Sequence, residues 1–322
     1  MLRILTVAVA GLSLTVVVRG DDPKPGTEPK PQWQRLLTGD DARKVAALEK
    51  RVEDRERADR YAEAVPIAEE LLALRTRLQG ADHWQTADQK WWLAELKKVA
   101  ALPADKRLAW RKAAEGDAEG TRLLYKGQYA TALPLKQERL RWCREVLGEA
   151  HPGTAAACND VAYTLNAQEK FVEAGPLYQK ALDIWREALG EDHPDTARGY
   201  NNVAYNLNCQ AKYAEAEPLY RKALATWVRV LGEGHPETVN SYTNIAGNLH
   251  HQGKYAEAGP LYQKALDVSR KARGERHATT AMACNNLAVN LDAQGRHAEA
   301  GALLRKALDI RREVLGEDHP DT

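Results

Sequence analysis

One phrase of eight residues returns at a constant interval. It reads LGEAHPGT from Leu147, LGEDHPDT from Leu189, LGEGHPET from Leu231, a worn RGERHATT from Arg273, and LGEDHPDT again from Leu315, each 42 residues after the last. Aligning on it brings the intervening residues into register. Ala162, Ala204, Ala246 and Ala288 share one position, and Leu165, Leu207, Leu249 and Leu291 another. Ala174, Ala216, Ala258 and Ala300 follow, then Ala181, Ala223, Ala265 and Ala307. A fixed period of about 20 to 50 residues marks a solenoid, in which each unit buries its apolar side against the next. That constraint overrides the two globular domains that 322 residues alone would suggest.

Within a unit the apolar spacing is helical. Val203, Ala204 and Leu207 fall at i, i+1 and i+4, and Ala216, Leu219, Tyr220, Ala223 and Leu224 at i, i+3, i+4, i+7 and i+8, a pattern that lines one face of an α-helix. Two helices per unit follow. Helix A opens at His-Pro, because Pro lacks only an amide hydrogen that has no partner at the first helical position. Helix B closes at Leu-Gly, where Gly adopts the left-handed conformation that ends a helix. Stretches such as Gln252-Gly253-Lys254 turn the chain between them. The spacing predicts an all-α solenoid of antiparallel helix pairs.

Small Ala at three spaced positions, Leu in helix A, and Tyr at the start and middle of helix B resemble the tetratricopeptide repeat (TPR). The 42-residue length, with Asn201-Asn202-Val203-Ala204 and LGEDHP, is similar to the kinesin light chain type. The resemblance covers roughly residues 129–322 and implies a right-handed superhelical solenoid with helix A lining its concave groove. Weaker copies lie upstream. Tyr61-Ala62-Glu63-Ala64 with Pro66, and Leu78 to His83, are in frame with Tyr129 and His151 at an offset of 68 residues, one period plus 26. Residues 41–151 therefore read as divergent TPR-like helices with a 26-residue insertion, and 152–322 as four 42-residue units, the last followed by an incomplete repeat. The insertion falls within Thr86 to Lys126, where Pro103 divides two helical stretches. The unit at Tyr129 also departs from pattern, placing Lys136 and Arg139 where its neighbours have Tyr178 and Ala181.

Forty-six Lys and Arg against 45 Asp and Glu leave a formal charge of +1, so the strong basic field that drives nucleic-acid binding is absent. The chain opens with Met1-Leu2-Arg3, the apolar stretch Ile4 to Val18, and Val18 and Gly20 at positions −3 and −1 of a cleavage before Asp21. Residues 1–20 read as a secretory signal, which predicts export to the periplasm or the medium. An uncleaved membrane anchor formed by residues 4–18 is the alternative, although a spanning helix needs about 20 apolar residues. Residues 21–40 read as a Pro-rich linker, with four Pro between Asp21 and Pro31.

Nine His invite a metal or catalytic reading. Six of them, His83, His151, His193, His235, His277 and His319, occupy the same loop position in successive copies, about a repeat apart, too far to share one ion. A local role fits better. The residue before Pro is held extended, as a helix N-cap is, and its ring can accept from an exposed amide or pack in the turn. His250 and His251 are adjacent on a helix and point apart. Of the four Cys, Cys158 and Cys284 share a repeat position three units apart and cannot pair; Cys143 and Cys158, in successive helices, are left open. No C-x-x-C, G-x-S-x-G, Gly-rich phosphate loop or H-E-x-x-H occurs. No catalytic residue, metal site or cofactor is expected.

The Asn residues carry more information. Asn202, Asn244 and Asn286, with Asp160, occupy one helix A position, and Asn206, Asn248 and Asn290, with Thr164, lie one turn on. Asn is a poor helix-interior residue, so its recurrence requires a cause. One is a ladder of amides hydrogen-bonding between stacked units. The other, implied by the kinesin light chain resemblance, is recognition of a peptide main chain. A second stripe varies more: Asn159, Tyr163 and Asn166; Asn201, Tyr205 and Asn208; Thr243, Gly247 and His250; Asn285, Val289 and Asp292. Spaced i, i+4 and i+7, each set shares one helix face. With Arg198 and Asn240, this stripe is the expected partner-binding surface, since amides match peptide main-chain groups and Tyr adds contact area at low entropic cost. Helix B carries the mixed charges, such as Arg221-Lys222 and Arg311-Arg312-Glu313, expected on a solvated outer face.

The expected function is a non-catalytic scaffold that holds a protein or peptide partner on the helix A face. No nucleic acid is expected as a partner, nor a membrane beyond the signal segment. Asp318-His319-Pro320 opens a helix A that the sequence does not complete. The array is therefore expected to be part of a longer protein, and the alternative is the regulatory arm of an effector enzyme such as a caspase-like CHAT peptidase. A third reading is self-association through an uncapped C-terminal end.

Overall fold

A computed structural model describes residues 32–316. The signal segment, the Pro-rich stretch to Pro31 and the final residues from Glu317, including His319, lie outside the described residues. Among the described residues there are thirteen α-helices and no strand. These are α1 (Gly39–Arg57), α2 (Tyr61–Gln79), α3 (Trp84–Ala100), α4 (Ala104–Tyr125), α5 (Tyr129–Leu147), α6 (Pro152–Ala167), α7 (Phe171–Leu189), α8 (Pro194–Cys209), α9 (Tyr213–Leu231), α10 (Pro236–His251), α11 (Tyr255–Arg273), α12 (Ala278–Ala293) and α13 (His297–Leu315). None of them is long and apolar enough to cross a membrane. Two compact units divide the chain, one reaching Trp142 and the other starting at Cys143.

In the second unit each helix packs on its neighbours in the chain, as a solenoid of helix pairs requires. Helices α6, α8, α10 and α12 are the A helices, and α7, α9, α11 and α13 the B helices. The recurring Ala rows sit at the contacts: Ala162, Ala204, Ala246, Ala288, Ala174, Ala216, Ala258, Ala181 and Ala223 are all fully buried. A methyl there lets two backbones approach closely, and a longer side chain would have no space.

The repeated phrase forms the joint between units, and each of its residues has a physical task. Gly190, Gly232 and Gly274 end their B helices at φ of +83°, +85° and +90°, a region closed to most side chains. The Glu that follows reaches the next B helix: Glu149 meets Lys180 at 2.6 Å, Glu191 meets Lys222 at 3.2 Å, Glu233 meets Lys264 at 3.0 Å, and Glu275 meets Lys306. His caps the A helix. Its Nδ1 accepts from the N–H two residues on, at 3.2 Å for His83, 3.0 Å for His151, 3.1 Å for His193, 3.3 Å for His235 and 3.2 Å for His277. The capping role foreseen from the sequence is thus met, and burial holds His83 and His235 below the ordinary imidazole range. The Thr three residues after the His is buried and donates back to the phrase Gly: Thr154 to Gly148 O at 2.7 Å, Thr196 to Gly190 O at 2.7 Å, Thr238 to Gly232 O at 2.9 Å and Thr280 to Gly274 O at 2.8 Å.

In the first unit α1 and α2 pair, and α3 follows from the His83 cap. Helix α4, starting just after Pro103, is the element that a 42-residue phase does not accommodate. It packs on α5 through glycine: a Cβ on Gly120 would lie 3.3 Å from Lys136 Cε and 3.5 Å from Ala132 O. The two residues that break the repeat pattern face it. Lys136 is 2% exposed, and its Nζ donates to Asp117 Oδ1 at 2.9 Å, Asp117 O at 3.0 Å and Thr121 Oγ1 at 2.7 Å. Arg139 lies over the Trp110 ring at 4.0 Å. Residues 32–40, read from sequence as linker, carry a 3-10 turn (Gln32–Arg35) and the start of α1. Arg35 forks onto Asp82 at 2.9 and 2.8 Å and holds its carboxyl below the usual range, while His83 Nε2 donates to Gln32 O at 3.0 Å.

All four Cys are free thiols, Cys143 and Cys158 included, and burial pushes the Cys158 and Cys284 thiols up.

Candidate functional site

The helix A face of the second unit is built on two sets of amide rungs. In the first, Asn202 Nδ2 donates to Asn159 Oδ1 of the preceding repeat at 2.7 Å, and Asn244 Nδ2 to Asn201 Oδ1 at 2.9 Å. In the second, one turn along, Asn206 Nδ2 donates to Asn166 Oδ1 and to Phe171 O, both at 2.9 Å. Asn248 repeats this with Asn208 Oδ1 at 3.0 Å and Tyr213 O at 3.1 Å. Asn290 donates to Tyr255 O at 3.1 Å, and its Oδ1 lies 3.2 Å from His250 Nδ1, which donates to it. Gln210 and Gln252 close the second set by donating to Asn206 Oδ1 at 2.8 Å and Asn248 Oδ1 at 2.7 Å. Asn206, Asn248 and Asn290 are buried, and an unmet amide there would cost about 1 to 3 kcal/mol. The recurrence of Asn inside these helices therefore has a structural cause.

The expected partner-binding residues divide by what the ladder leaves them. Asn159, Asn166, Asn201 and Asn208 are its acceptors, and Asn166 is itself buried. Asn201 also donates to Asn202 Oδ1 at 3.2 Å. Arg198 pairs with Asp195 at 3.0 Å and lies 5.1 Å from the centre of the Trp185 ring. His250 meets the Tyr255 ring edge-on at 4.8 Å, and Asp292 sits 2.6 Å from His297 Nδ1 on an exposed surface. Tyr163 and Tyr205 stand at one register in successive A helices and are 52% and 45% exposed, so much of each ring remains open to contact. Val289, at the same register in α12, is 50% exposed. Beneath them the B helix tyrosines are sealed: burial raises the Tyr178 and Tyr220 hydroxyls well above the phenol range, and pushes Tyr262 up to about 12. Tyr205 is raised as well, first by burial and then by the neighbouring Cys209 thiol.

The first rung set stops at the step from α10 to α12. Where Asn159 and Asn201 accept in the earlier repeats, position 243 is Thr, and its hydroxyl donates at 3.4 Å to Val239 O of its own helix. Asn286 consequently has no rung. Among the described residues Asn240, Asn285 and Asn286 have no hydrogen-bond partner, and Asn240 is exposed. Met282, 47% exposed, belongs to this face and was not among the residues expected from sequence, although Arg198 and Asn240, at its register in the two preceding repeats, were.

The tetratricopeptide repeat family profile matches residues 156–227, 195–258, 237–313 and 282–322, which together span just over half of the chain. No curated protein matches it. Among solved structures, the nearly identical TPR-like repeats of a Podosopora anserina protein described as a kinesin light chain align with a TM-score of 0.56 at 21% identity, covering 66% of this chain and 99% of that one. BtubC (BKLC) from P. vanneervenii aligns with a TM-score of 0.55 at 19% identity, covering 88% of this chain and 95% of that one. At these identities the likeness is one of fold.

Proposed function

Since the chain belongs to the tetratricopeptide repeat family and is a protein-interaction scaffold, we propose that its helix A face binds an extended segment of a protein partner, with no catalytic role. The observation that carries this reading is the pairing of exposure with position. Tyr163, Tyr205, Val289 and Met282 keep about half of their surface on the face where the repeats also present their amides. Aromatic and aliphatic contacts of this kind supply area, and amides supply main-chain hydrogen bonds. At roughly 1 kcal/mol net per hydrogen bond, a micromolar partner at about −8 kcal/mol engages several repeats together.

Asn159, Asn166, Asn201 and Asn208 serve this function through the ladder, by fixing the register of the face. Tyr163, Tyr205, Asn240, Asn285, His250, Asp292 and the guanidinium of Arg198 are the groups set to touch the partner. Capture of partners with the chain from Asp21 onward, followed by mass spectrometry, identifies the ligand. Combined replacement of Tyr163 and Tyr205 by Ala should then abolish capture without moving the melting temperature by more than a few degrees. Undiminished capture by that double variant refutes the assignment of the face. Residues 1–20 act, on this reading, as a cleaved export signal, and recovery of a chain beginning at Asp21 from the periplasm or the medium is its test.

A further inference from the structure

The fourth copy of the repeated phrase is the worn one, with Arg273 and Ala278 where the other four copies have Leu and Pro. Leu147, Leu189, Leu231 and Leu315 give way to Arg273 in the register of the phrase Leu. At the first joint that Leu covers the start of the next A helix: a Cβ on Gly153 would lie 2.9 Å from Leu147 Cδ1, and Leu147 is buried. A cavity of about 60 Å3 lies between α10, the end of α11, where Arg273 stands, and the start of α12. Arg273, Asn240, Asn286, Thr243 and Thr279 line it, with Met282 at its edge. No Asp or Glu does. The Arg273 side chain has neither a hydrogen bond nor an ion pair among the described residues, and its charge is felt by the half-buried His235 ring. One amide released by the broken ladder, Asn286, a second that no rung engages, Asn240, and one uncompensated guanidinium therefore line a space the size of a carboxylate.

A larger cavity of about 610 Å3 lies between α11 and α13, but its cations are already satisfied: Arg270 meets Glu275 at 3.3 Å and Arg296 meets Glu299 at 2.7 Å. Of the two, the smaller site offers the unpaired donors.

We infer that the α10–α12 step is an acidic subsite of the partner face, in which Arg273, Asn240 and Asn286 hold the side-chain carboxylate of an Asp or Glu in the bound segment. This rests on the peptide-binding reading above and adds the residue type that is selected. A guanidinium donates two parallel hydrogen bonds to a carboxylate, and such charge-assisted bonds are roughly twice as strong as neutral ones. Asn240 and Asn286 supply the further donors. Thr243 serves by leaving Asn286 free, a specificity-determining role exercised through its neighbour.

The test uses the full chain and an array of N-acetylated, C-amidated ten-residue peptides, each made with Glu and with Gln at one scanned position, and read by fluorescence anisotropy. The expected result is a preference of about tenfold or more for Glu over Gln in the binding peptides. Arg273→Leu, which installs the residue of the other copies, should abolish that preference while keeping the circular-dichroism melt. Tyr205→Ala reports on the face as a whole. Peptides that bind and are lost with Tyr205→Ala, but bind equally as Glu and Gln, overturn the acidic subsite and leave the groove standing. A Glu preference that survives Arg273→Leu overturns it too. Inorganic phosphate that binds in an Arg273-dependent manner without competing with the peptides shows a free-anion site, and rejects the peptide source. If no peptide binds at all, the groove reading falls and this inference with it.

Discussion

Two cations stand where the repeat carries an apolar side chain, and they have opposite fates. Lys136 replaces the Tyr of helix B in the first unit; it is buried and its ammonium is met by Asp117 and Thr121 on α4. Arg273 replaces the phrase Leu in the second unit; it is exposed and without a counter-ion among the described residues. The first departure is answered inside the fold, by the helix that interrupts the period. The second is answered by nothing among the described residues. In an otherwise uniform array, a pattern break with an internal partner marks architecture, and one without marks a place for something else.

Removing the internal partner should give the largest effect. Asp117→Ala leaves a buried ammonium without its carboxylate and should cost about 3 kcal/mol or more in urea unfolding. The same loss of charge at Arg273, through Arg273→Leu, should leave the urea midpoint unchanged or raised. Equal destabilisation by the two would erase the distinction.

Next in size is the ladder. Asn206→Ala strips Asn166 and the Phe171 carbonyl of their donor and should cost about 2 kcal/mol. Asn244→Ala loses one half-buried rung and should cost about 1 kcal/mol. Asn286→Ala, at the same register but without a rung, should stay within about 0.5 kcal/mol. A gradient in this order across three chemically identical changes confirms that the rung, rather than Asn itself, stabilises; a flat series refutes it.

His83 and His235 predict a pH dependence that Arg273 tunes at His235. An unfolded imidazole takes up a proton near pH ~6.5, whereas burial, and at His235 the Arg273 charge, keeps the native His83 and His235 rings neutral to lower pH. Stability from these caps is therefore whole above that pH and declines as pH falls below it toward the native values. His235→Asn keeps a capping acceptor and should flatten this decline between about pH 6.5 and about pH 5, as followed by urea midpoints. An unchanged slope would remove the cap from the account.

The smallest effect concerns a turn. Ala211 has φ of +59° at the register where Gly253 and Gly295 stand at +75° and +76°. Ala211→Gly should stabilise by about 1 kcal/mol, seen as a rise in Tm, because a left-handed conformation costs an L-residue about that much.

Much of this was legible in the sequence. The constant interval dictated the helix pairs, the capping His and the Ala contacts, because each physical requirement recurs identically and so leaves a column of identical residues. The phase slip and the two helical stretches that Pro103 divides were legible, but the partnership of Lys136 with Asp117 was not, since no spacing rule links a non-repeated helix to a repeated one. The two Asn stripes were read as separate, the first as either a stacking ladder or a peptide contact and the second as the partner surface. Donors of one stripe in fact bind acceptors of the other across the repeat boundary, as Asn244 does with Asn201. Such a contact 43 residues away is invisible to within-helix periodicity. Arg273 was visible as wear in the phrase, yet its meaning depended on the absent rung at Thr243.

The central claim is that amides committed to the ladder hold the array, while those outside it meet the partner. It is tested most directly by selective 15N labelling of asparagine and titration with the tightest peptide from the array. The side-chain resonances of Asn240, Asn285 and Asn286 should shift, and those of Asn206 and Asn248 should stay in place. Shifts confined to the ladder amides, with the other three unmoved, would contradict it.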